Sequence, residues 1–256
     1  MSEFKHLQIR REKAVEYVVL NRPEVRNAFN EELIAELTAW GAEAGKDAQL
    51  RAVVISGAGP AFCAGGDLTW MSKMATYSHD ENIRDATGAA RMFAALDGLP
   101  MPVIARVHGA AMGGGAGLVA VADIAVSEAG AMFGFTEVKL GLLPALIAPY
   151  VLAKIGQSAA RELFLTGRRF TAERALQIGL VHAVVASASE IDATIQQYLD
   201  DVLGSGRDAI TAAKKLIRQI ANKPPGDVAP LTVDALAKQR ASVEAQERMK
   251  AFLSKK

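Results

Sequence analysis

Excess charge of one sign, cysteine, histidine and long apolar runs are all scarce in this chain of 256 residues, and each shortage argues against a class of function. Lys and Arg number 29 against 28 Asp and Glu, a formal net charge of +1. That balance gives no support to a nucleic-acid-binding or membrane-surface protein. The one cysteine, Cys63, cannot form an internal disulfide, which disfavours a small secreted scaffold. The histidines, His6, His79, His108 and His182, lack the close spacing of a zinc site, so no metal is expected. The N-terminus carries no apolar signal core. The longest uncharged apolar stretches, residues 109–122 and 140–153, fall short of the roughly 20 residues needed to cross a bilayer. The first is rich in glycine, and Pro144 and Pro149 break the second. The expectation is a soluble, cytoplasmic protein.

Glycine is what the chain does have. It holds 22, above the roughly 7% of average usage, and many are clustered. At roughly 100–200 residues per domain, the length allows one large domain with a small appendage. Residues 7–10 and 15–20 read as two strands of a hairpin turning around 11–13. Asn30 reads as the N-cap of a helix, with Glu31 and Glu32 in its first turn and Leu33, Leu37, Trp40 and Ala44 at helical spacing. Apolar runs at 52–56, 103–107 and 123–126 are of strand type, each followed by a Gly- or Ala-rich segment. The first two lead into helical stretches from Leu68 and Ala116. Repeated strand–loop–helix units predict an α/β fold with stacked crossovers. Past about residue 200, Ile210, Ala213, Ile217 and Ile220 mark an amphipathic helix. Pro224 and Pro225 break it, and a further helical run continues to Phe252. Its apolar stripe must bury against the core or another subunit. The expected division is a core over 1–200 and a helical tail over 201–256.

Three clusters could carry chemistry. In the richest, a strand ending near His108 runs into Gly113, Gly114, Gly115 and then a helix. Glycines there permit a tight turn and close approach of a ligand, and the free N–H groups of the helix favour a negative oxygen. The spacing from Gly113 to Gly117 fits a dinucleotide-binding loop poorly; close helix–strand packing is the plainer alternative. One unit earlier, Gly65 and Gly66 precede a helix that Asp67 can cap. The N–H groups of Gly66 and Gly114 could converge on one oxygen, or belong to two unrelated turns. The third cluster sets Glu137 in apolar surroundings, where burial would raise its pKa and suit it to general acid–base work. A surface pairing with Lys139 is the alternative. Cys63 has no paired base and reads as a small buried residue. His108 reads as packed or hydrogen-bonded, Asp123 as structural, and Trp70, Met71 and Met74 as core or pocket lining.

Together these residues resemble the enoyl-CoA hydratase/isomerase (crotonase) superfamily. The matches are Leu20, Asn21, Arg22 and Pro23 with Asn27 and Ala28; Phe62 to Asp67; Gly113 to Gly115 with Asp123 and Ile124; Phe133, Gly134, Glu137, Leu140, Gly141 and Pro144; and Leu165 to Gly167 with Ala172, Ala175 and 179–181. They run through nearly the whole chain in family order. The resemblance implies a spiral of β-β-α turns whose C-terminal helices assemble homo-trimers, often paired into hexamers. It implies an acyl-CoA substrate, with CoA entering only as part of the thioester and no separate cofactor. Gly66 and Gly114 match the oxyanion-hole donors, Glu137 matches a catalytic glutamate, and Val25, Arg26, Ala28, Ala64, Asp67, Leu68 and Thr69 match the CoA-binding stretches. One departure is clear: two-glutamate hydratases carry a second glutamate where this chain has Gly117. A hydratase working through Glu137 alone and an isomerase shuttling one proton both fit, as does a non-catalytic acyl-CoA binder. Residues 67–71, 108–119 and 143–151 resemble a bacterial branch of methylglutaconyl-CoA or carboxygeranoyl-type hydratases, of leucine and acyclic-terpene breakdown, which tilts the expectation to hydratase.

Overall fold

The computed structural model describes residues 4–254. Strands β1 (Leu7–Glu12) and β2 (Val15–Leu20) pair antiparallel, Leu7 opposite Leu20 and Glu12 opposite Val15. The first strand runs two residues beyond the sequence expectation. Lys13 takes a left-handed φ of 54°, so Lys13 and Ala14 alone reverse the chain. Helix α1 (Glu31–Ala44) starts where expected, with the Asn30 side chain accepting from the Leu33 N–H.

The chain then lays down β3 (Ala52–Gly57), α2 (Leu68–Met74), α3 (His79–Asp97), β4 (Val103–Val107), β5 (Ala110–Met112), α4 (Gly114–Val121), β6 (Ile124–Glu128) and β7 (Met132–Gly134). After these come α5 (Ala148–Thr166), β8 (Arg169–Thr171), α6 (Ala172–Gln177), β9 (Ala183–Val185) and α7 (Ala188–Gly204). The large sheet has the order β1-β2-β3-β4-β6-β9, parallel from β2 onward. A small sheet has the order β5-β7-β8. Cys63 bridges Ala111, Ala111 pairs with Phe133, and Phe133 pairs with Phe170. Successive turns thus stack their short second strands in register, and this forms the expected α/β spiral.

A parallel sheet must be covered on both faces. Val53 and Ile55 enter the main core, which also holds Leu33, Leu37, Phe93 and Leu96 from α1 and α3. Val54 and Ile104 point the other way and meet Ile191, Ile195 and Leu199 of α7. The β6 strand begins at Ile124, one residue late, because Asp123 is used otherwise: its carboxylate accepts the Val103 N–H and pairs with Lys214 at 2.6 Å. Pro149 opens α5 instead of breaking the stretch, since a first-turn proline has no helical partner to lose.

Three helices end the chain: α8 (Arg207–Ile220), α9 (Pro225–Ala241) and α10 (Val243–Leu253). The single run expected to Phe252 is two helices, because Ser242 turns to extended backbone and its side chain caps α10 at Ala245. Helix α8 is tied to the core by Thr211 on the Pro100 carbonyl and by Lys214. Helices α9 and α10 bury only Val228, and leave Val233, Val243 and Phe252 exposed.

Candidate active site

The first glycine junction follows β3. Phe62 N–H donates to the His108 carbonyl and Cys63 N–H to that of Ala110, while Met112 N–H returns a bond to Cys63. This zips the loop onto β5. Phe29 N–H donates to the Gly65 carbonyl at 2.7 Å, and Asp67 N–H to the Phe29 carbonyl at 2.9 Å. Gly66, held between them, is exposed and its N–H has no acceptor among the described residues. Asp67 caps α2 through the N–H groups of Thr69 and Trp70 and takes Arg22 Nη2 at 2.8 Å. The other terminal Arg22 nitrogen, Nη1, donates to the Ala28 carbonyl, and Ala64 N–H donates to that of Arg26. Arg26, Ala28, Ala64 and Asp67 are thereby brought together beside the short 3-10 turn that ends at Val25. Leu68 and Thr69 lie exposed at the start of α2.

The second junction follows β5. Gly113 has φ 50° and ψ −120°, a conformation closed to side-chain-bearing residues, and its N–H donates to Gly134 at 2.8 Å. Helix α4 then starts at Gly114, two residues earlier than expected. Its first N–H has no acceptor among the described residues, as first-turn donors of a helix lack one within the helix. The junctions are in backbone contact: a Cβ on Gly65 would come within 2.9 Å of the Met112 carbonyl. Phe29 flanks both, because a Cβ on Gly114 would lie 2.9 Å from its ring.

Glu137 opens a 3-10 turn after β7 (Glu137–Leu140). Its Oε1 sits 3.2 Å from where a Gly113 Cβ would be, and its Oε2 is buried without a hydrogen-bond partner. Burial pushes its pKa above the usual glutamate range. No ion pair joins it to Lys139 among the described residues, so the surface alternative is not what the fold builds. A Cβ on Gly117 would overlap Ile147 Cγ2 and lie 3.2 Å from Phe93 Cε1. Phe93 in turn packs edge-on against Phe29, with centroids 6.3 Å apart. These apolar residues fill the place of any side chain at 117.

The remaining candidates are structural. Burial pushes the Cys63 thiol up to about 12, which leaves no thiolate at neutral pH. His108 Nε2 bonds the Gly59 carbonyl at 2.9 Å, and Trp70 Nε1 donates to Asp85. Among the described residues no group of three or more His, Cys, Asp or Glu side chains could hold a metal ion, and no helix is long and apolar enough to cross a membrane. Sequence reasoning missed Phe29 and Phe93 as walls of the site. Neither carries a motif; only the fold brings them to the glycines.

A profile of the enoyl-CoA hydratase/isomerase family matches residues 10–256. The chain belongs to that family. A crystal structure of an enoyl-CoA hydratase from Shewanella pealeana superposes with a TM-score of 0.95 at 34% identity, covering 99% of this chain and 95% of that one. The short-chain-enoyl-CoA hydratase of Clostridium acetobutylicum is 32% identical over 219 residues, 85% of this chain and 82% of the relative. The peroxisomal Delta(3,5)-Delta(2,4)-dienoyl-CoA isomerase of Arabidopsis thaliana is 31% identical over 230 residues, 85% and 83% respectively. Relatives named for hydration and for isomerisation thus both match this chain, at 32% and 31% identity.

Proposed function

We propose that this protein is an enoyl-CoA hydratase that adds water across the 2,3 double bond of an enoyl-CoA thioester. In this reading the N–H groups of Gly66 and Gly114 hold the thioester oxygen as enolate charge develops, and Glu137 moves the proton. Fixed donors aimed at developing charge are often the largest single contribution to such catalysis. The observation that carries the reading is the setting of Glu137: a half-buried carboxylate against Gly113 whose Oε2 is buried without a hydrogen-bond partner, beside a helix whose first N–H is free. A purely binding protein has no use for such a group. CoA is gripped by the backbone around Val25, Arg26, Ala28, Ala64, Leu68 and Thr69, while Asp67 braces that grip through Arg22. Branched or carboxylated acyl groups such as methylglutaconyl-CoA are the proposed substrates, on the resemblance of residues 67–71, 108–119 and 143–151. The exposed apolar residues of α9 and α10 are proposed to be covered in a homo-trimer or hexamer, in the cytoplasm.

One observation favours isomerisation as the second reading. Ile147 and Phe93 occupy the space over Gly117, so Glu137 is the one carboxylate of the pair. Moving a proton from C2 to C4 of a 3-enoyl-CoA needs only one base. A panel of 2-enoyl- and 3-enoyl-CoA thioesters followed by liquid chromatography with mass spectrometry separates the two, because chromatography resolves the enoyl isomers that have equal mass. Hydration yields a 3-hydroxyacyl-CoA heavier by one water. Interconversion of the enoyl forms with no gain in mass would favour the isomerase, and no turnover of any thioester would leave only the binding role.

A further inference from the structure

Helix α4 carries no polar side chain of its own; it reads Gly-Gly-Ala-Gly-Leu-Val-Ala-Val and is buried from Gly115 onward. Its C-terminal carbonyls therefore need donors from elsewhere. The backbone does not supply one to Val119, because the Asp123 N–H that would reach it in a longer helix donates to Val103 instead. Lys154 of α5 does: its Nζ donates to the Val119 carbonyl at 3.1 Å and to the Ala122 carbonyl at 2.5 Å. One end of this eight-residue helix thus meets an ammonium, and the other end presents the Gly114 N–H.

We propose that Lys154 is a positioning residue for the reaction: its ammonium holds the C-terminus of α4 and thereby sets the placement and field of the Gly114 donor at the opposite end. The inference rests on the oxyanion role assigned above. A cation at a helix C-terminus complements the helix dipole by an amount equivalent to roughly 2- to 30-fold in an equilibrium. The charge can be switched off, since burial lowers the Lys154 pKa from 10.5 to about 8, with Asp123 opposing. Other groups line the same groove, of about 750 Å3, between α5 and α8. Tyr150 comes from α5, Lys214 and Arg218 from α8, Asp97 from the end of α3, Asp123 from just before β6 and His182 from the turn before β9. Lys214 is paired with Asp123 and Arg218 with Asp97. His182 Nδ1 accepts the Ala125 N–H, and burial lowers its pKa, so it is neutral where Lys154 titrates.

Two variants separate charge from packing. Lys154→Gln keeps an N–H donor without charge, and Lys154→Arg keeps charge that does not titrate. In the wild type kcat is expected to fall as pH rises through about 8. Lys154→Arg should lose that limb. Lys154→Gln should show a kcat lower by roughly tenfold at neutral pH, with KM unchanged. Stability should move the opposite way from activity. The folded protein releases this proton near 8 and the unfolded chain near 10.5, so between those values the unfolded chain binds more protons and stability rises with pH. In Lys154→Gln, a lysine that merely held the fold together would lose stability and turnover in parallel. Persistence of the basic limb in Lys154→Arg, or a wild-type kcat in a folded Lys154→Gln, overturns the proposal alone. If the wild type neither binds nor turns over any CoA thioester, the hydratase reading falls, and this inference falls with it.

Discussion

The two glycine junctions follow one sequence pattern, strand to glycines to helix, yet the helices they start are held by different means. At the first, Asp67 caps α2 with its own carboxylate, and α2 buries none of its residues. At the second, α4 has no cap of its own, lies in the core, and takes its C-terminal donor from α5. Gly66 has room around it: a Cβ there would meet the flexible Met71 side chain at 3.4 Å and the Trp70 ring at 3.9 Å, both ordinary contacts. Gly114 is closed in by the Phe29 ring. A local cap makes a junction that tolerates change, while a buried, borrowed one makes a junction that does not. The Glu137 carboxylate lies against the second junction, at Gly113.

That contrast orders the expected effects. Glu137→Gln keeps shape and removes the base, and should lower kcat by about 100- to 10,000-fold, read by steady-state turnover. In the wild type, activity should rise with pH through the Glu137 pKa, because the ionised form is the base, and this limb should lie above the usual glutamate range. Gly114→Ala forces the Phe29 ring and the donor apart and should cost about 100- to 1000-fold in kcat, as loss of one oxyanion donor does. Gly117→Glu should lower stability by about 1–3 kcal/mol in chemical denaturation, because the new side chain overpacks against Ile147. Adding Ile147→Ala should restore part of that loss, although alone it would be destabilising. Gly66→Ala should change stability and turnover least, within about 0.5 kcal/mol or about twofold. Equal and large losses for both glycine variants would dissolve the distinction between the junctions.

Much of this was legible in sequence because it is local. The Asn30 and Asp67 caps, the strand–glycine–helix order and the helical tail each depend on residues a few positions apart. The environment of Glu137 was legible in part: the residues around it offered both an apolar setting that would raise its pKa and a surface pairing with Lys139, and only the fold shows that its Oε1 lies against Gly113, more than twenty positions away. Lys154 gave no signal at all, since its acceptors are backbone carbonyls 32 and 35 residues earlier. The Ser242 break in the tail was missed because serine is unremarkable in composition and acts there only as a cap. At Gly117 the family resemblance pointed to a glutamate that this chain lacks; the structure adds that Ile147 fills the space a side chain there would need.

The most direct measurement is a crystal structure of the Glu137→Gln variant with an enoyl-CoA bound. The account predicts the thioester oxygen within about 2.7–3.1 Å of both the Gly66 and Gly114 nitrogens, with C2 next to residue 137. A thioester oxygen that meets only one of these N–H groups, or neither, would contradict it.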